Sequence, residues 1–394
     1  MNLRNISFGN FKCLYNTSFE PGKVNVFIGA NGSGKSTILE AIGLLSAAMT
    51  DRVDSTSLQR RGVRLSAPKL YKSCFKSIAR QSLTVNLSLE WEDDDCPDRF
   101  QYDVHLTTPT DSDYWKYHSE AFFQNGDKKW GRSHASQQQT NNYIGFFLIA
   151  DNEDLATGRK IAQEFSSYGI FQPNTMALRG TVPDPAQTSP LGLNGGRLAE
   201  AIDALIQKKD GDLFFGDLYM DDILEMIDWA SNISVSTPSK SNLNSNIPST
   251  RQIIEFADQY MRRNTQFTGY DASEGALYVL FMLALAMHPQ GPSIFAVDSF
   301  DHALNPRLAK KMIQVFCEQI IQQRKHVFLT THNPLVLDGL DLTNDDIRLF
   351  AVDRDSDGYA QIKRILVSQE LIDLGQPLSR LWINGRLGGV PTLI

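Results

Sequence analysis

The stretch that decides the fold of this 394-residue chain reads Gly29-Ala30-Asn31-Gly32-Ser33-Gly34-Lys35-Ser36. It matches every fixed position of G-x-x-x-x-G-K-[S/T], the loop that wraps the phosphates of a nucleotide. Residues 24–28 before it are β-branched and aromatic apart from one Asn, which predicts a short buried strand. The residues from Thr37 to Met49 carry apolar side chains at helical spacing. Strand, glycine-rich loop and helix are the order that this motif requires.

The chemistry of the loop follows from that order. Glycines allow backbone N–H groups to turn toward the phosphates, and the helix N-terminus adds a partial positive charge. Lys35 is expected to reach the β- and γ-phosphates, and the hydroxyl of Ser36 to ligate Mg²⁺. Residues 29–37 are therefore predicted to bind ATP or GTP.

The composition is that of an ordinary soluble protein, with 42% hydrophobic and 21% charged residues. A net charge of −7 argues against general coating of DNA, although it leaves room for a local basic site. The four cysteines form no C-x-x-C pair, which argues against a zinc site or a disulfide framework. The longest apolar run, residues 276–287, is shorter than the roughly 20 residues of a bilayer span. We therefore expect a cytoplasmic protein without a membrane partner.

The first 150 residues are predicted to form an ATPase lobe that combines the phosphate loop with an antiparallel β-patch. Strand-like patterns or apolar runs cover residues 2–7, 82–91, 100–107, 114–124 and 142–150. A second strand ending at Phe19 is expected to pair with the first in antiparallel fashion. Asn125-Gly126 is a hairpin signal.

A basic stretch follows the first helix, and the sequence leaves its role open. It contains no acidic residue and consists of Arg60, Arg61, Arg64, Lys69, Lys72, Lys76 and Arg80. One interpretation is contact with phosphates, either of a nucleotide or of nucleic acid. The diffuse spacing and the few aromatic residues favour the other interpretation, a solvated face.

The middle of the chain, residues 151–265, is predicted to be a mainly helical insert. Apolar residues fall at helical spacing near residues 198–205 and 220–227. Within residues 231–250, 15 of 20 are Ser, Thr, Asn or Pro, which predicts a mobile loop. No long heptad array is present, so a long coiled-coil arm is not expected.

The last part, residues 266–394, carries three further motifs. Ser273-Glu274-Gly275 precedes an apolar helix, and residues 293–298 predict a buried strand ending in Asp298. An Asp at that place can hold the waters of Mg²⁺. Residues 326–331 predict another buried strand, which ends at His332.

Two other features near the end of the sequence are ambiguous. The spacing of Asp353, Asp355 and Asp357 is that of the first ligands of a calcium-binding EF-hand loop. The flanking predicted strands favour a hairpin turn instead. The apolar, glycine-rich residues 381–391 either pack on the core or dock a partner.

The order of motifs resembles the soluble ABC-type ATPase heads of the RecF, SMC and OLD-like branch. The nearest resemblance is to ATPases of prokaryotic anti-phage defence systems of the Septu type. It rests on residues 29–36, 273–275, 297–306 and 330–338, at the two ends of the chain. The implied fold is α/β: an ABC-type ATPase head, with a mixed sheet around the phosphate loop, the antiparallel β-patch and the helical insert.

The resemblance implies a homodimer, or a higher oligomer, in which two heads sandwich ATP and Mg²⁺. ATP on one phosphate loop would be closed over by Ser273, Glu274 and Gly275 of the other subunit. Ser36 and Asp298 would hold Mg²⁺, and His332 would contact the γ-phosphate or the attacking water. Residues 305–306 would lie in the loop that crosses the dimer interface.

One position departs from the family. Where such heads carry a Glu directly after the Walker B Asp, this chain has Ser299, which is a poor base near neutral pH. Asp301, two residues further on, is the next carboxylate in the sequence and the candidate substitute. The alternative is slow hydrolysis, with ATP held as a structural or sensing ligand.

The leading functional hypothesis is a regulatory ATPase that assembles through ATP and controls a separate effector protein, in anti-phage defence. The second is a DNA-maintenance ATPase that binds nucleic acid directly through the basic stretch. The third is the ATP-binding subunit of a membrane transporter, which Ser299 and the β-patch count against.

Overall fold

The computed structural model describes most of the chain. The described residues are 1–78, 82–94, 96–109, 113–133, 143–145, 155–182, 184, 186, 190–239, 242–244, 246–247, 251–262, 265–366 and 375–390.

Eighteen strands lie in these described residues. In chain order they are β1 (Asn2–Phe11), β2 (Leu14–Phe19), β3 (Val24–Ile28), β4 (Thr84–Asp93), β5 (Cys96–Thr107), β6 (Lys116–Gln124), β7 (Asp127–Arg132), β8 (Ile170–Phe171), β9 (Ile206–Lys209), β10 (Asp212–Phe215), β11 (Leu218–Tyr219), β12 (Ala230–Ser236), β13 (Ile253–Asp258), β14 (Gln266–Thr268), β15 (Ile294–Val297), β16 (His326–Thr330), β17 (Ile347–Arg354) and β18 (Ala360–Ile365).

The α-helices of the same described residues number ten. They are α1 (Lys35–Thr50), α2 (Ser55–Arg60), α3 (Ala156–Ser166), α4 (Thr175–Leu178), α5 (Leu198–Leu205), α6 (Met220–Met226), α7 (Glu274–Met287), α8 (Pro306–Gln322), α9 (Pro334–Leu337) and α10 (Leu378–Ile383). Within the described part, none of the helices has both the length and the apolar character that crossing a membrane requires.

The central sheet is mixed and has the strand order β18-β17-β3-β16-β15-β8. All of its neighbouring strands are parallel except β17 and β18, which form an antiparallel hairpin. Every residue of β3, β15 and β16 is buried, as expected for parallel strands covered on both faces. Because parallel strands share one orientation, the residues that follow β3, β8, β15 and β16 meet at one edge of the sheet.

The predicted antiparallel β-patch is confirmed as a second six-stranded sheet, β2-β1-β4-β5-β6-β7. Asn125 and Gly126 both have positive φ, 53° and 85°, as a tight two-residue hairpin between β6 and β7 requires. Of the predicted segment 142–150, residue 142 and residues 146–150 lie outside the described residues.

Helix α1 lies in the core that joins the two sheets, and this explains its burial. Fourteen of its residues are buried, so it is covered on nearly all sides rather than along one stripe. Along β3, Phe27 belongs to this core, whereas Val24, Val26 and Ile28 face a second core. That second core contains α5, α6, α7 and α8, so the phosphate-loop strand is anchored on both faces.

Residues 151–265 were predicted to be a mainly helical insert, and their described part is a mixture of helices and strands. The described part of this region contains two small antiparallel sheets, β11-β10-β9 and β12-β13-β14, beside short helices. Strand β8 pairs with β15 and therefore belongs to the central sheet. Residues 230–236 form β12, so the polar stretch that was predicted as a loop from residue 231 begins with a strand.

The glycine-rich segment near the end of the chain packs on the core. Leu381, Trp382 and Leu387 are buried in the second core, and α10 lies against α9. The sequence Asp353 to Gly358 leads from β17 into a turn before β18, as the hairpin interpretation predicted.

Candidate active site

The phosphate loop holds the ammonium group of Lys35 at its centre. Lys35 Nζ donates to the carbonyl oxygens of Gly29, at 2.7 Å, and Ala30, at 3.0 Å. Burial lowers the pKa of Lys35, while the negative charge of Asp298 opposes that shift. The ammonium therefore has carbonyl partners that phosphate oxygens can replace when a nucleotide binds.

The glycines of the loop have conformations that other residues avoid. Gly32 and Gly34 have φ of 78° and 119°, and a Cβ on Gly34 would lie 2.9 Å from Cys13 Sγ. Gly32 has open space beside it, where nothing lies within 4 Å of an added Cβ. Gly34 is thus packed against Cys13, whereas the loop is open beside Gly32.

Asp298 connects four elements at the edge of the central sheet. Its Oδ1 accepts hydrogen bonds from Ser36 Oγ at 3.1 Å and from Thr330 Oγ1 at 2.5 Å. Its Oδ2 accepts from Gln172 Nε2 at 2.9 Å. The structure thus brings together the predicted residues Ser36 and Asp298, which are 262 positions apart in sequence.

The residues present fit a Mg²⁺ ion. The Ser36 hydroxyl and the Asp298 carboxylate are hard oxygen donors in mutual hydrogen-bond contact, which suits this ion. In the described part of the chain no group of three or more His, Cys, Asp or Glu residues could hold a metal. Mg²⁺ usually keeps several waters and is bound by one or two protein oxygens together with nucleotide phosphates. When bound, Mg²⁺ would neutralise phosphate charge.

Gln172 is a site residue that the sequence reasoning missed. It directly follows β8, a strand of two residues that is too short to show periodicity. Its side chain is placed beside Asp298 only because β8 joins the parallel sheet next to β15. The available signal was weak: a polar residue that follows the apolar pair Ile170-Phe171.

The loop after Asp298 is held in an unusual backbone conformation. Ser299 has φ of 63°, a region that non-glycine residues rarely adopt and that is enriched at functional sites. Its N–H donates to Thr330 Oγ1 at 2.8 Å, and its carbonyl accepts from Tyr278 Oη at 3.2 Å. Thr330 therefore fixes both Asp298 and Ser299.

Asp301 contacts the loop that carries His332. Its Oδ1 accepts from Thr331 Oγ1 at 2.8 Å and from the backbone N–H of His332 at 3.0 Å. Burial, with a further contribution from the charge of Lys35, lowers the pKa of His332. The imidazole is therefore neutral near pH 7, where it can both donate and accept a hydrogen bond.

The predicted signature residues lie at the start of α7. Ser273 is exposed and caps the helix, because its Oγ accepts from Ala276 N–H at 3.3 Å. Glu274 accepts a hydrogen bond from Thr175 Oγ1 and lies 3.7 Å from His302 Nε2. Among the described residues, none of the hydrogen bonds of residues 273–275 reaches residues 29–36. The structure therefore does not join Ser273, Glu274 and Gly275 to the phosphate loop of their own chain.

The two Asn-Pro pairs of the motifs begin helices. The side chain of Asn305 accepts from Leu308 N–H at 3.0 Å and caps α8. Asn333 caps α9 in the same way, through Leu335 N–H at 3.0 Å. Each proline occupies the first helical position, where its missing N–H has no cost.

Part of the basic stretch has a structural role. Arg61 is buried and donates to Ser46 Oγ, Thr50 Oγ1 and the Ser57 carbonyl. Arg64 forms an ion pair with the buried carboxylate of Glu40. Arg61 is therefore not free to bind nucleic acid, whereas the side chain of Arg64 is 70% exposed despite its ion pair. Arg80 lies outside the described residues.

The substitution Thr330→Val is expected to lower both the stability of the protein and its ATP turnover. Valine removes the buried hydroxyl that binds Asp298 and Ser299, so the free energy of unfolding should fall by about 1–3 kcal/mol. ATP turnover should fall as well. Urea unfolding and a phosphate-release assay would measure both effects.

Thr330→Ser is the matched control, because it keeps the hydroxyl and loses one methyl group. A valine variant as stable and as active as the wild type would contradict a role of Thr330 in holding this site.

Two family models and the solved structures place the fold among known ATPases. Residues 1–100 match the model described as "AAA ATPase domain", and residues 203–338 match "AAA domain, putative AbiEii toxin, Type IV TA system". A search of curated proteins gave no match.

Two solved SMC heads superpose over nearly the whole chain. One is the SmcHead bound to the C-winged helix domain of ScpA, with a TM-score of 0.55 and 10% identity, covering 94% of this chain and 100% of that chain. The other is the Smc head domain with an extended coiled coil, bound to the C-terminal domain of ScpA derived from Pyrococcus furiosus. Its TM-score is 0.50 at 11% identity, over 95% of this chain and 98% of that chain. The predicted ABC-type ATPase head is thereby confirmed as the fold class.

Proposed function

We propose that this protein is an ATP-dependent head that pairs with a second copy of itself around ATP and thereby controls a separate effector protein. The observation that carries the proposal is the division of the site into two parts. Lys35, Ser36, Asp298 and Gln172 form one half at a single edge of the sheet. The other half begins at Ser273, an exposed helix cap that does not bind its own phosphate loop.

The residues present support a simple sequence of events. ATP binding exchanges the carbonyl partners of Lys35 for phosphate oxygens, and the start of α1 favours their negative charge. Gln172 and the neutral His332 follow β8 and β16, the parallel strands on either side of β15, where they can contact the terminal phosphate or a water. A second copy would close the site with the N–H groups at the start of its α7. Loss of the γ-phosphate would then loosen the pair.

The comparisons support a partner and a setting for this switch. The solved SMC heads with this fold are described as bound to domains of another protein, ScpA. The description of the model matched by residues 203–338 names a toxin of a toxin–antitoxin system. We therefore propose a separate effector as partner and anti-phage defence as the setting, in the cytoplasm.

Asp301→Asn is expected to slow ATP hydrolysis by at least about 100-fold, because a general base typically contributes a factor of about 10²–10⁴ to the rate. The reason is that Asp301 Oδ1 is occupied by Thr331 and His332, whereas among the described residues nothing donates to its Oδ2. Oδ2 of Asp301 is therefore available to bind a water, and the hydroxyl of Ser299 is too poor a base to replace it. Single-turnover hydrolysis with bound ATP would measure the effect.

Asparagine keeps an acceptor for Thr331 and His332, so ATP affinity should stay within about twofold of the wild type. Unchanged hydrolysis in Asp301→Asn would remove Asp301 from the mechanism. ATP would then act as a slowly hydrolysed structural or sensing ligand.

A further inference from the structure

The segment from residue 378 to residue 389, here called the brace segment, contacts the site at both of its ends. Its first end is attached to α9 through Ser379. The N–H and Oγ of Ser379 donate to the two carboxylate oxygens of Asp338, at 2.9 and 2.6 Å. Asp338 closes α9, and α9 begins directly after the loop that carries His332.

The middle of the brace segment is anchored in the core. Leu381 and Trp382 of α10 are buried, and so is Leu387. These side chains share a core with Ile28, the last residue of the strand before the phosphate loop. The segment is thus held firmly between its two ends.

The second end lies against the phosphate loop itself. The N–H of Gly389 donates to Asp353 Oδ2 at 2.9 Å. A Cβ on Gly389 would lie 3.0 Å from Gly29 Cα and 3.3 Å from Gly29 N, so the two backbones are in direct contact. Arg354, next to Asp353, donates from Nε to the carbonyl of Gly32 at 2.8 Å. The first and fourth residues of the loop are therefore supported from the β17 side.

We propose that the brace segment positions the phosphate loop for ATP and links it to the loop that carries His332. Asp353 and Gly389 are then positioning residues for nucleotide binding. This inference rests on the proposed function of residues 29–36 as an ATP site. A partner that lifted the brace segment would weaken ATP binding and release the His332 loop in one step.

The glycines of the segment provide a matched pair that separates bracing from simple packing. Gly389 and Gly385 have nearly the same positive φ, 69° and 73°, so alanine is strained by φ to a similar degree at either position. At Gly385 an added Cβ meets nothing within 4 Å, whereas at Gly389 it presses on Gly29. A difference between the two alanine variants therefore reports the contact with the loop.

The experiment is calorimetric titration of Mg²⁺-ATP into the wild type, Gly389→Ala and Gly385→Ala, with thermal unfolding of each protein without nucleotide. We expect Gly389→Ala to weaken ATP binding at least about tenfold, since small displacements of a preorganised site are costly, and Gly385→Ala to stay within about twofold. Equal affinities in these two variants would overturn the inference.

Asp353→Ala keeps the test decisive if Gly389→Ala does not fold. It removes the acceptor of the Gly389 N–H and should also weaken ATP binding, by about fivefold, with a folded protein. ATP affinity equal to the wild type in Asp353→Ala would count against the brace. Failure of the wild type to bind ATP would instead overturn the proposed function, and the inference with it.

Discussion

Lys35→Ala is expected to weaken ATP binding by at least about 100-fold, because at least two charge-assisted hydrogen bonds of about 1.5–3 kcal/mol each are lost. Lys35 is 6% exposed and its ammonium donates to two loop carbonyls, so it is already placed for phosphate oxygens. Titration calorimetry with Mg²⁺-ATP, and the rise in melting temperature on adding ATP, would measure the loss.

Without nucleotide, Lys35→Ala should be about as stable as the wild type, since burial of the Lys35 charge disfavours its protonated form. Lys311→Ala is the control, because this lysine of α8 is exposed. If ATP raised the melting temperatures of Lys35→Ala and of the wild type equally, residues 29–36 would not form the nucleotide site.

Ser273→Arg is expected to abolish ATP-dependent dimerisation and to reduce turnover by at least about 100-fold, because its bulk and charge would block the face that closes on ATP. ATP binding to the single subunit should change by less than about twofold, since Ser273 does not contact its own phosphate loop. Light scattering with and without ATP, beside calorimetry on the same samples, separates the two effects.

Loss of the helix cap at Ser273 costs about 1 kcal/mol of stability, which thermal unfolding would reveal. Normal ATP-dependent dimers of Ser273→Arg would contradict a role of this residue in the partner's site.

The phosphate loop could be predicted from sequence because its chemistry is local. Residues 29–36 form one contiguous turn with its strand before it and its helix after it. Asp298 and His332 could be predicted because each follows a short, fully buried strand that is mainly apolar. Parallel strands bring such ends to one edge, so their proximity follows from the fold class.

What the sequence did not reveal depends on pairing between distant segments. Gln172 lies 126 positions from Asp298, and a two-residue strand carries no pattern that would connect them. The strands β9, β10 and β11 are two to four residues long, which is too short to show an alternating pattern of apolar and polar residues. The apolar residues of α5, by contrast, have clear helical spacing. That is why the middle of the chain was predicted as helical.

Burial also separates residues that look alike in sequence. In the basic stretch, Arg61 is buried whereas Arg64 is exposed, although the two look alike in the sequence. Gly385 and Gly389 likewise cannot be distinguished from the sequence. Only the structure shows that Gly389 lies against Gly29 and that Gly385 does not.

The central claim is that one active site is made by two copies of the chain, and mixing Lys35→Ala with Ser273→Arg tests it most directly. Each variant alone should be inactive. A 1:1 mixture should regain ATP turnover that neither variant shows alone, up to about half of the wild-type rate, because neither variant pairs with itself and each mixed pair holds one intact site of two. A mixture as inactive as its components, when both variants are folded and Ser273→Arg binds ATP, would contradict the shared site.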